Sequence, residues 1–126
     1  MKKLLPLAAS LLVAACAQAP PPPKGLIDVA ERPAEKALLA GMRAYDDGQY
    51  AQAEQRLEQA LKTGLASPRD QAAAYKHLAF VYCTSERLAQ CEAAFKAARQ
   101  ADAAFALGRA EAGHPLWGPA YKRALP

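Results

Sequence analysis

The sequence is poor in the residues on which most enzymes depend. Its 126 residues include three cysteines, two histidines and one tryptophan. No CxxC pair, no phosphate-binding GxxxxGK(S/T) loop, no glycine-rich nucleotide motif and no Ser-His-acid arrangement can be placed in it. We therefore expect a protein that is not an enzyme, and we assign no catalytic residue.

The sequence also predicts neither a metal site nor a nucleic-acid interface. His77 is predicted on the charged side of its helix and His114 at a break in the chain, so we predict no metal site and no cofactor. The formal charge of +4 falls to about +2 without Lys2 and Lys3. Acidic and basic residues are interspersed, whereas a nucleic-acid interface usually shows a clustered basic stripe. No nucleic-acid partner is expected.

The amino terminus has the pattern of an export leader. Lys2 and Lys3 precede an apolar stretch, Leu4–Ala15, which is too short to remain as a membrane-spanning helix. The stretch ends in Val-Ala-Ala before Cys16, which resembles a bacterial lipobox. The resemblance implies that residues 1–15 are a cleaved signal peptide. It also implies that Cys16 carries a covalent diacylglycerol and an acyl chain such as palmitate. The alternative is an ordinary secretory leader with a chance cysteine.

A proline run follows the cysteine. Pro20–Pro23 favours polyproline II, which extends by about 3.1 Å per residue. We interpret residues 16–32 as the lipidated cysteine and a semi-rigid tether, with a proline-rich ligand for another domain as the alternative. Enteric-type lipoproteins retained in the inner membrane carry aspartate after the cysteine, whereas this chain has Ala17. The resemblance therefore implies the periplasmic face of the outer membrane.

From Pro33 onward the pattern becomes helical. Alanine is frequent and β-branched residues are scarce, which favours helix over sheet. Ser67 followed by Pro68 has the residue types of an N-cap and a first helical turn. The periodicity predicts four long helices: Ala34–Asp46, Tyr50–Lys62, Pro68 to about Cys83, and Leu88–Gln100.

The carboxyl-terminal tail is predicted to cover the last long helix. Pro115 is a candidate to open a further helix, in which Trp117 would be buried. Phe105 and Leu107 are expected to reach the same core. The alternative is an exposed Trp117 that anchors a partner.

The four long helices form two hairpins with one residue pattern, which recurs at a constant offset along the chain. The pattern of the first hairpin is Ala37, Ala40, Gly41, Ala44, Tyr50, Ala53, Leu57 and Ala60, and that of the second is Tyr75, Leu78, Ala79, Tyr82, Leu88, Cys91, Phe95 and Ala98. It resembles the tetratricopeptide repeat (TPR), usually about 34 residues long, with a longer loop between the hairpins. Small residues are predicted to allow close helix contact, with Gly41 facing Ala53 and Ala79 facing Cys91. Glu86 stands where the family usually has glycine.

The TPR resemblance implies an all-α fold for residues 33–126. Two TPR-like helical hairpins and a C-terminal capping helix would form a short α-solenoid. The alternative is a four-helix antiparallel assembly without repeat stacking.

In TPR proteins the first helices of the hairpins line a concave groove that binds peptides. Carried over to this chain, the groove residues are Glu35, Leu38, Met42, Tyr45, Asp46, Ala73, Lys76, Phe80, Cys83 and Thr84. Leu38, Met42 and Tyr45 share one helix face, and an apolar stripe outside the core is typical of a docking site for a protein or peptide. The alternative is that Leu26–Glu31 folds over this stripe.

Two cysteines remain after Cys16. Because an exported protein meets an oxidising compartment, Cys83 and Cys91 are a disulfide candidate. The bond needs Cα atoms within about 7 Å. Cys83 points away from the stripe of Leu78 and Tyr82, so the sequence leaves both the bonded and the free state open.

The whole arrangement, including the tail from Gly113 to Arg123, resembles the small TssQ-like lipoproteins associated with type VI secretion. The resemblance implies a scaffold or assembly accessory in the cell envelope that is anchored to the membrane by lipid. Its partner would be a periplasmic or envelope protein, such as a component of the secretion system. The alternatives are a general envelope-assembly lipoprotein, either pilotin-like or associated with the cell wall, and a periplasmic enzyme.

Overall fold

The computed structural model describes Gly25 and residues 31–126, and the described residues contain helices and no strand. The predictions for the leader, Cys16, the proline run and residues 26–30 lie outside the described residues. The helices are α1 (Pro33–Asp46), α2 (Tyr50–Thr63), α3 (Pro68–Thr84), α4 (Leu88–Ala101), α5 (Arg109–Ala112) and α6 (Gly118–Ala124).

The four long helices begin and end within one residue of their predicted positions because local signals fix their ends. Pro33 and Pro68 stand in first turns, where the missing N–H costs no hydrogen bond. Ser67 is the N-cap of α3, and its Oγ accepts a hydrogen bond from the Asp70 N–H at 3.3 Å. The predicted cap is therefore confirmed.

Helix α1 packs against α2, and α3 packs against α4. The turns that connect the helices of each pair have the same geometry. Gly48 has a φ of 75° and Glu86, its equivalent in the second hairpin, has a φ of 61°. The Gln49 N–H donates to the Ala44 carbonyl at 2.8 Å, and the Arg87 N–H donates to the Tyr82 carbonyl at the same distance. The two turns thus repeat their backbone conformation at the offset seen in the sequence.

Small side chains let the paired helices approach closely. Ala53, Ala79 and Cys91 are completely buried. A Cβ atom at Gly41 would lie 2.7 Å from Leu57 Cγ, so this position in α1 requires glycine. The residue that Gly41 meets most closely is therefore Leu57, and not Ala53 as predicted. Ala53 and Leu57 lie one helical turn apart on α2, so their positions in the sequence do not show which of them contacts Gly41.

A disulfide closes the second hairpin. Cys83 and Cys91 are bonded, with their Cα atoms 5.2 Å apart, and both are buried. The bond joins the end of α3 to the beginning of α4. Of the two states that the sequence left open, the structure has the bonded one.

The carboxyl-terminal segment covers the second hairpin. Helix α6 lies against α4, and Trp117, Phe105 and Leu107 belong to the core cluster, as predicted. The prediction that Pro115 opens the helix is wrong, because α6 begins at Gly118. The Gly118 N–H donates to the His114 carbonyl at 2.7 Å, which closes a tight turn ahead of the helix.

Candidate partner-binding groove

The predicted groove lies on α1 and α3, which contact each other. The structure divides its residues by exposure: Glu35, Leu38, Phe80 and Cys83 are buried; Met42, Tyr45, Ala73, Lys76 and Thr84 are half-buried; Asp46 is exposed. A partner at this surface would meet chiefly the half-buried residues. Binding itself stays a prediction.

Aromatic rings connect the two helices across the groove. The Tyr45 ring on α1 lies 5.5 Å from that of His77 and 6.0 Å from that of Phe80, both on α3. Tyr45 also contacts Tyr50, at 5.6 Å. These contacts hold the Tyr45 side chain against α3, and burial is the main cause of its raised pKa. The phenol is therefore uncharged at neutral pH.

His77 lies in this aromatic cluster and is buried, so its predicted place on the charged side of α3 is wrong. Its Nδ1–H donates to the Ala73 carbonyl at 2.8 Å. Burial is the main cause of a lowered pKa for His77, with a smaller contribution from the Lys76 charge. The error arose because polar Lys76 precedes His77, whereas the packing of α3 against Tyr45 turns the ring inward.

The chain itself covers part of the groove, with a segment that we name the C-terminal strap (Gly108–Trp117). Lys76 Nζ donates to Glu111 Oε2 at 3.1 Å. The Trp117 ring stacks on Phe80 with 4.1 Å between centroids, and its Nε1–H donates to the Glu111 carbonyl at 2.8 Å. Trp117 is 8% exposed, so it is not an exposed partner anchor.

A histidine completes a stack of three rings. His114 lies parallel to Trp117, with 3.6 Å between centroids and an interplanar angle of 5°. The indole is thus held between His114 and Phe80, and this packing fixes the strap against α3.

Sequence reasoning placed the tail on the last helix but did not place the strap in the groove. The ion pair between Lys76 and Glu111 joins residues 35 positions apart. Residues so far apart in the chain do not form a repeating sequence pattern, so a single sequence does not predict their contact. The only available signal was the tail's one tryptophan, which indicated burial but not the surface that would bury it.

Ion pairs outside the groove connect successive elements. Glu54 on α2 accepts two hydrogen bonds from Arg87, the shorter at 2.6 Å, and this bonding lowers the pKa of Glu54. Glu92 on α4 accepts one from Arg123 on α6, at 2.7 Å. Glu54 and Glu92 occupy equivalent positions of the two hairpins, so each second helix uses the same position to bind the next element.

Two other kinds of site are not found in the described part of the chain. Within residues 31–126, no three His, Cys, Asp or Glu side chains come together as a metal-binding group. None of the helices found there combines the length and the apolar character needed to cross a bilayer.

Comparisons of the chain with models of protein families, with curated proteins and with solved structures find no match.

Proposed function

We propose that this protein is a lipid-anchored envelope protein whose helical domain is TPR-like and binds a protein or peptide partner. The observation that carries the proposal is the repeated hairpin geometry, in which the turns at Gly48 and Glu86 share a positive φ and the same hydrogen bond. Stacked hairpins of this kind put their first helices side by side, as α1 and α3 are. The half-buried Met42 and Tyr45 then offer a partner an apolar surface.

The membrane attachment rests on the amino-terminal sequence. The lipobox-like Val13–Cys16 places a lipidated cysteine at the start of the mature chain. One acyl chain gives only marginal binding, whereas two or three give stable anchoring, because each buried CH₂ contributes about 0.8 kcal/mol. With Ala17 after the cysteine, the proposed location is the periplasmic face of the outer membrane.

For the larger assembly, we propose an accessory or scaffold role in a type VI secretion system. Support comes from the order of lipobox, proline run, two hairpins and tail. The second candidate is a general envelope-assembly lipoprotein, pilotin-like or associated with the cell wall. Crosslinking in cells separates the two, since the first requires a secretion component among the captured proteins and the second requires a component of outer-membrane or wall assembly.

The anchor is tested by Cys16→Ser. We expect the variant to leave the outer-membrane fraction and appear in the periplasmic extract, because the lipid is its only proposed attachment. The measurement is the distribution between the two fractions on immunoblots. Recovery of the variant in the outer-membrane fraction at the level of the unaltered protein would show that lipid is not the anchor.

The groove is tested by Met42→Glu, because Met42 is half-buried and a charge there opposes apolar docking. Tyr45 is a poorer choice, since its ring packs on His77 and Phe80. We expect Met42→Glu to lower the yield of crosslinked partner about tenfold, a loss of about 1.4 kcal/mol. Gln55→Glu, on the exposed side of α2, adds the same charge and should keep the full yield. Equal yields from both variants would contradict the proposal.

A further inference from the structure

The α3 half of the groove holds a segment of the same chain, and the contacts of that segment define what the groove recognises. We propose that the C-terminal strap is an internal ligand of the groove, and that the external partner is a peptide segment of the same chemistry. That segment would offer a carboxylate to Lys76 and an aromatic ring to Phe80, and would replace the strap on binding. The inference rests on the proposed function and names the partner of that same site.

Two features of α3 select this chemistry. Lys76 places its Nζ 5.8 Å from the centroid of the Phe80 ring, so a cation and an aromatic surface lie next to each other. The strap satisfies both at once, with Glu111 on the cation and Trp117 on the ring. A charge-assisted hydrogen bond and a ring stack are specific contacts of the kind that fix the register of a bound peptide.

Apart from Trp117, which is buried against Phe80, the strap contributes little to the core. Its helix α5 has four residues, none of them buried, and Leu116 is 51% exposed. Its two ends are held independently of the groove. On one side the Leu107 N–H donates to the Tyr121 hydroxyl at 3.2 Å, and on the other Ala120 is buried where α6 covers α4. The strap is thus a loop between two fixed ends.

The α1 half of the groove gives an external segment its advantage over the strap. Met42 and Tyr45 pack against the core but stay half-buried, and Asp46 beyond them is exposed. A longer peptide that reproduces the Lys76 and Phe80 contacts would bury this surface in addition. The strap, in contrast, competes through its high effective concentration as part of the same chain.

The experiment uses the purified full chain and a fluorescein-labelled peptide with the strap sequence GRAEAGHPLW, followed by fluorescence anisotropy. Trp117→Ala removes the stacked ring and Glu111→Lys removes the ion pair, so each variant weakens the internal ligand. We expect both to bind the peptide about tenfold more tightly than the unaltered chain, since more of the protein has an open groove. Far-UV circular dichroism checks that each variant keeps its helices, and Glu111→Lys serves if Trp117→Ala does not fold.

Charge exchange locates the bound peptide. In the Trp117→Ala background, Lys76→Glu should abolish binding, and a peptide with lysine at the position of Glu111 should restore it. The matched control is Lys62→Glu, an exposed lysine on α2, which should leave binding unchanged. A peptide with alanine at the position of Trp117 should not bind to the Trp117→Ala variant, with or without Lys76→Glu.

Folded variants that bind the strap peptide no better than the unaltered chain would overturn the inference, as would binding that ignores the sign of the charge at position 76. These results concern purified protein and do not depend on the anchor or on the cellular partner. Failure of the Cys16→Ser fractionation or of the crosslinking would instead remove the envelope function and leave the specificity of the groove intact.

Discussion

At the scale of single residues, the turn of the second hairpin contains a strained backbone conformation at Glu86. Glu86 has a φ of 61°, a conformation that a residue with a Cβ adopts at a cost of about 1–2 kcal/mol. Its side chain is exposed, so little packing is lost by removing it. We expect Glu86→Gly to raise the free energy of unfolding by about 0.5–1 kcal/mol, after the greater freedom of glycine in the unfolded chain is subtracted. Urea unfolding followed by circular dichroism measures the change.

The control for Glu86→Gly is the equivalent position of the first hairpin. Gly48 has a φ of 75°, and a Cβ atom there would meet nothing within 4 Å. Gly48→Ala therefore makes no new side-chain contact, and we expect its backbone strain, less the entropy that the unfolded chain loses, to lower the free energy of unfolding by about 1 kcal/mol. If both substitutions shift stability in the same direction, φ is not the quantity that governs these turns.

The buried His77 makes stability depend on pH. Its pKa is lowered from 6.5, mainly by burial, so the folded state keeps the ring neutral where the unfolded state takes up a proton. This contribution is complete above pH 6.5. It is lost as the pH falls from 6.5 toward the folded pKa, at up to about 1.4 kcal/mol per pH unit.

The comparison that isolates His77 is His77→Gln, since glutamine can still donate to the Ala73 carbonyl but does not titrate. We expect the unaltered chain to lose more stability than the variant between pH 7 and pH 5 in urea unfolding. His114 is present in both proteins and cancels in the difference. Equal losses in the two proteins would show that His77 takes up its proton without unfolding the domain.

At the scale of helices, the pairing of α1 with α2 depends on Gly41. A Cβ atom there would lie 2.7 Å from Leu57 Cγ and 3.2 Å from the Leu57 backbone nitrogen, and Leu57 is completely buried. Gly41→Ala should gain about 1 kcal/mol of helix propensity. The overpacking costs about 1–3 kcal/mol and acts on backbone as well as side chain, so we expect a net loss of stability in urea unfolding.

A double-mutant cycle tests this cause. With Leu57→Ala in place, the contacts of a Cβ at Gly41 with the Leu57 side chain at 2.7 and 2.9 Å disappear, and only the contact with the backbone nitrogen at 3.2 Å remains. Gly41→Ala should then cost much less than in the unaltered chain. A cost that is the same in both backgrounds would assign the effect to something other than the contact with Leu57.

The long helices could be predicted because their signals are local. Pro33, Ser67 and Pro68 mark beginnings, and turns at Gly48 and Glu86 mark the hairpins, so each boundary depends on a few neighbouring residues. The short helices could not be placed in the same way. Pro115 and Pro119 are both suitable for a first helical turn, and the choice of the second follows from the turn at His114 that brings Trp117 to Phe80.

The grouping of the predicted groove residues could be anticipated only in part, and binding there stays a prediction. Tyr45, Lys76 and Phe80 lie near one another, linked by ring and cation contacts. Which of these residues a partner can touch depends on tertiary packing. Phe80 is covered by Trp117, which lies beyond α4 and α5 in the chain, and that contact follows from the docking of a whole segment and not from any local pattern.

Most buried side chains of the described domain belong to one cluster, which runs from Ala34 in α1 to Ala124 in α6, and Ala44, Ala53 and Val81 form a second, smaller one. Phe95 on α4 contacts Tyr121 on α6, with 5.3 Å between their ring centroids. Two hairpins expose apolar surface at their ends, and helical arrays need caps there. The C-terminal segment supplies that cover for α4, while its strap covers Phe80 and pairs with Lys76 on α3.

Deletion of residues 103–126 should therefore prevent folding. The deletion removes the buried Phe105, Leu107 and Trp117 from the core and the half-buried Tyr121 from its edge, and each buried apolar side chain contributes about 1.5–3 kcal/mol. Their sum is comparable to the whole stability of a domain of this size, about 5–15 kcal/mol. We expect the shortened chain to lose its helical circular dichroism at pH 7, whereas Leu116→Ser, at an exposed position of the same segment, should keep it. A shortened chain that stays helical and unfolds at the same urea concentration would show that the hairpins need no cap, because their own contacts would then supply the full stability.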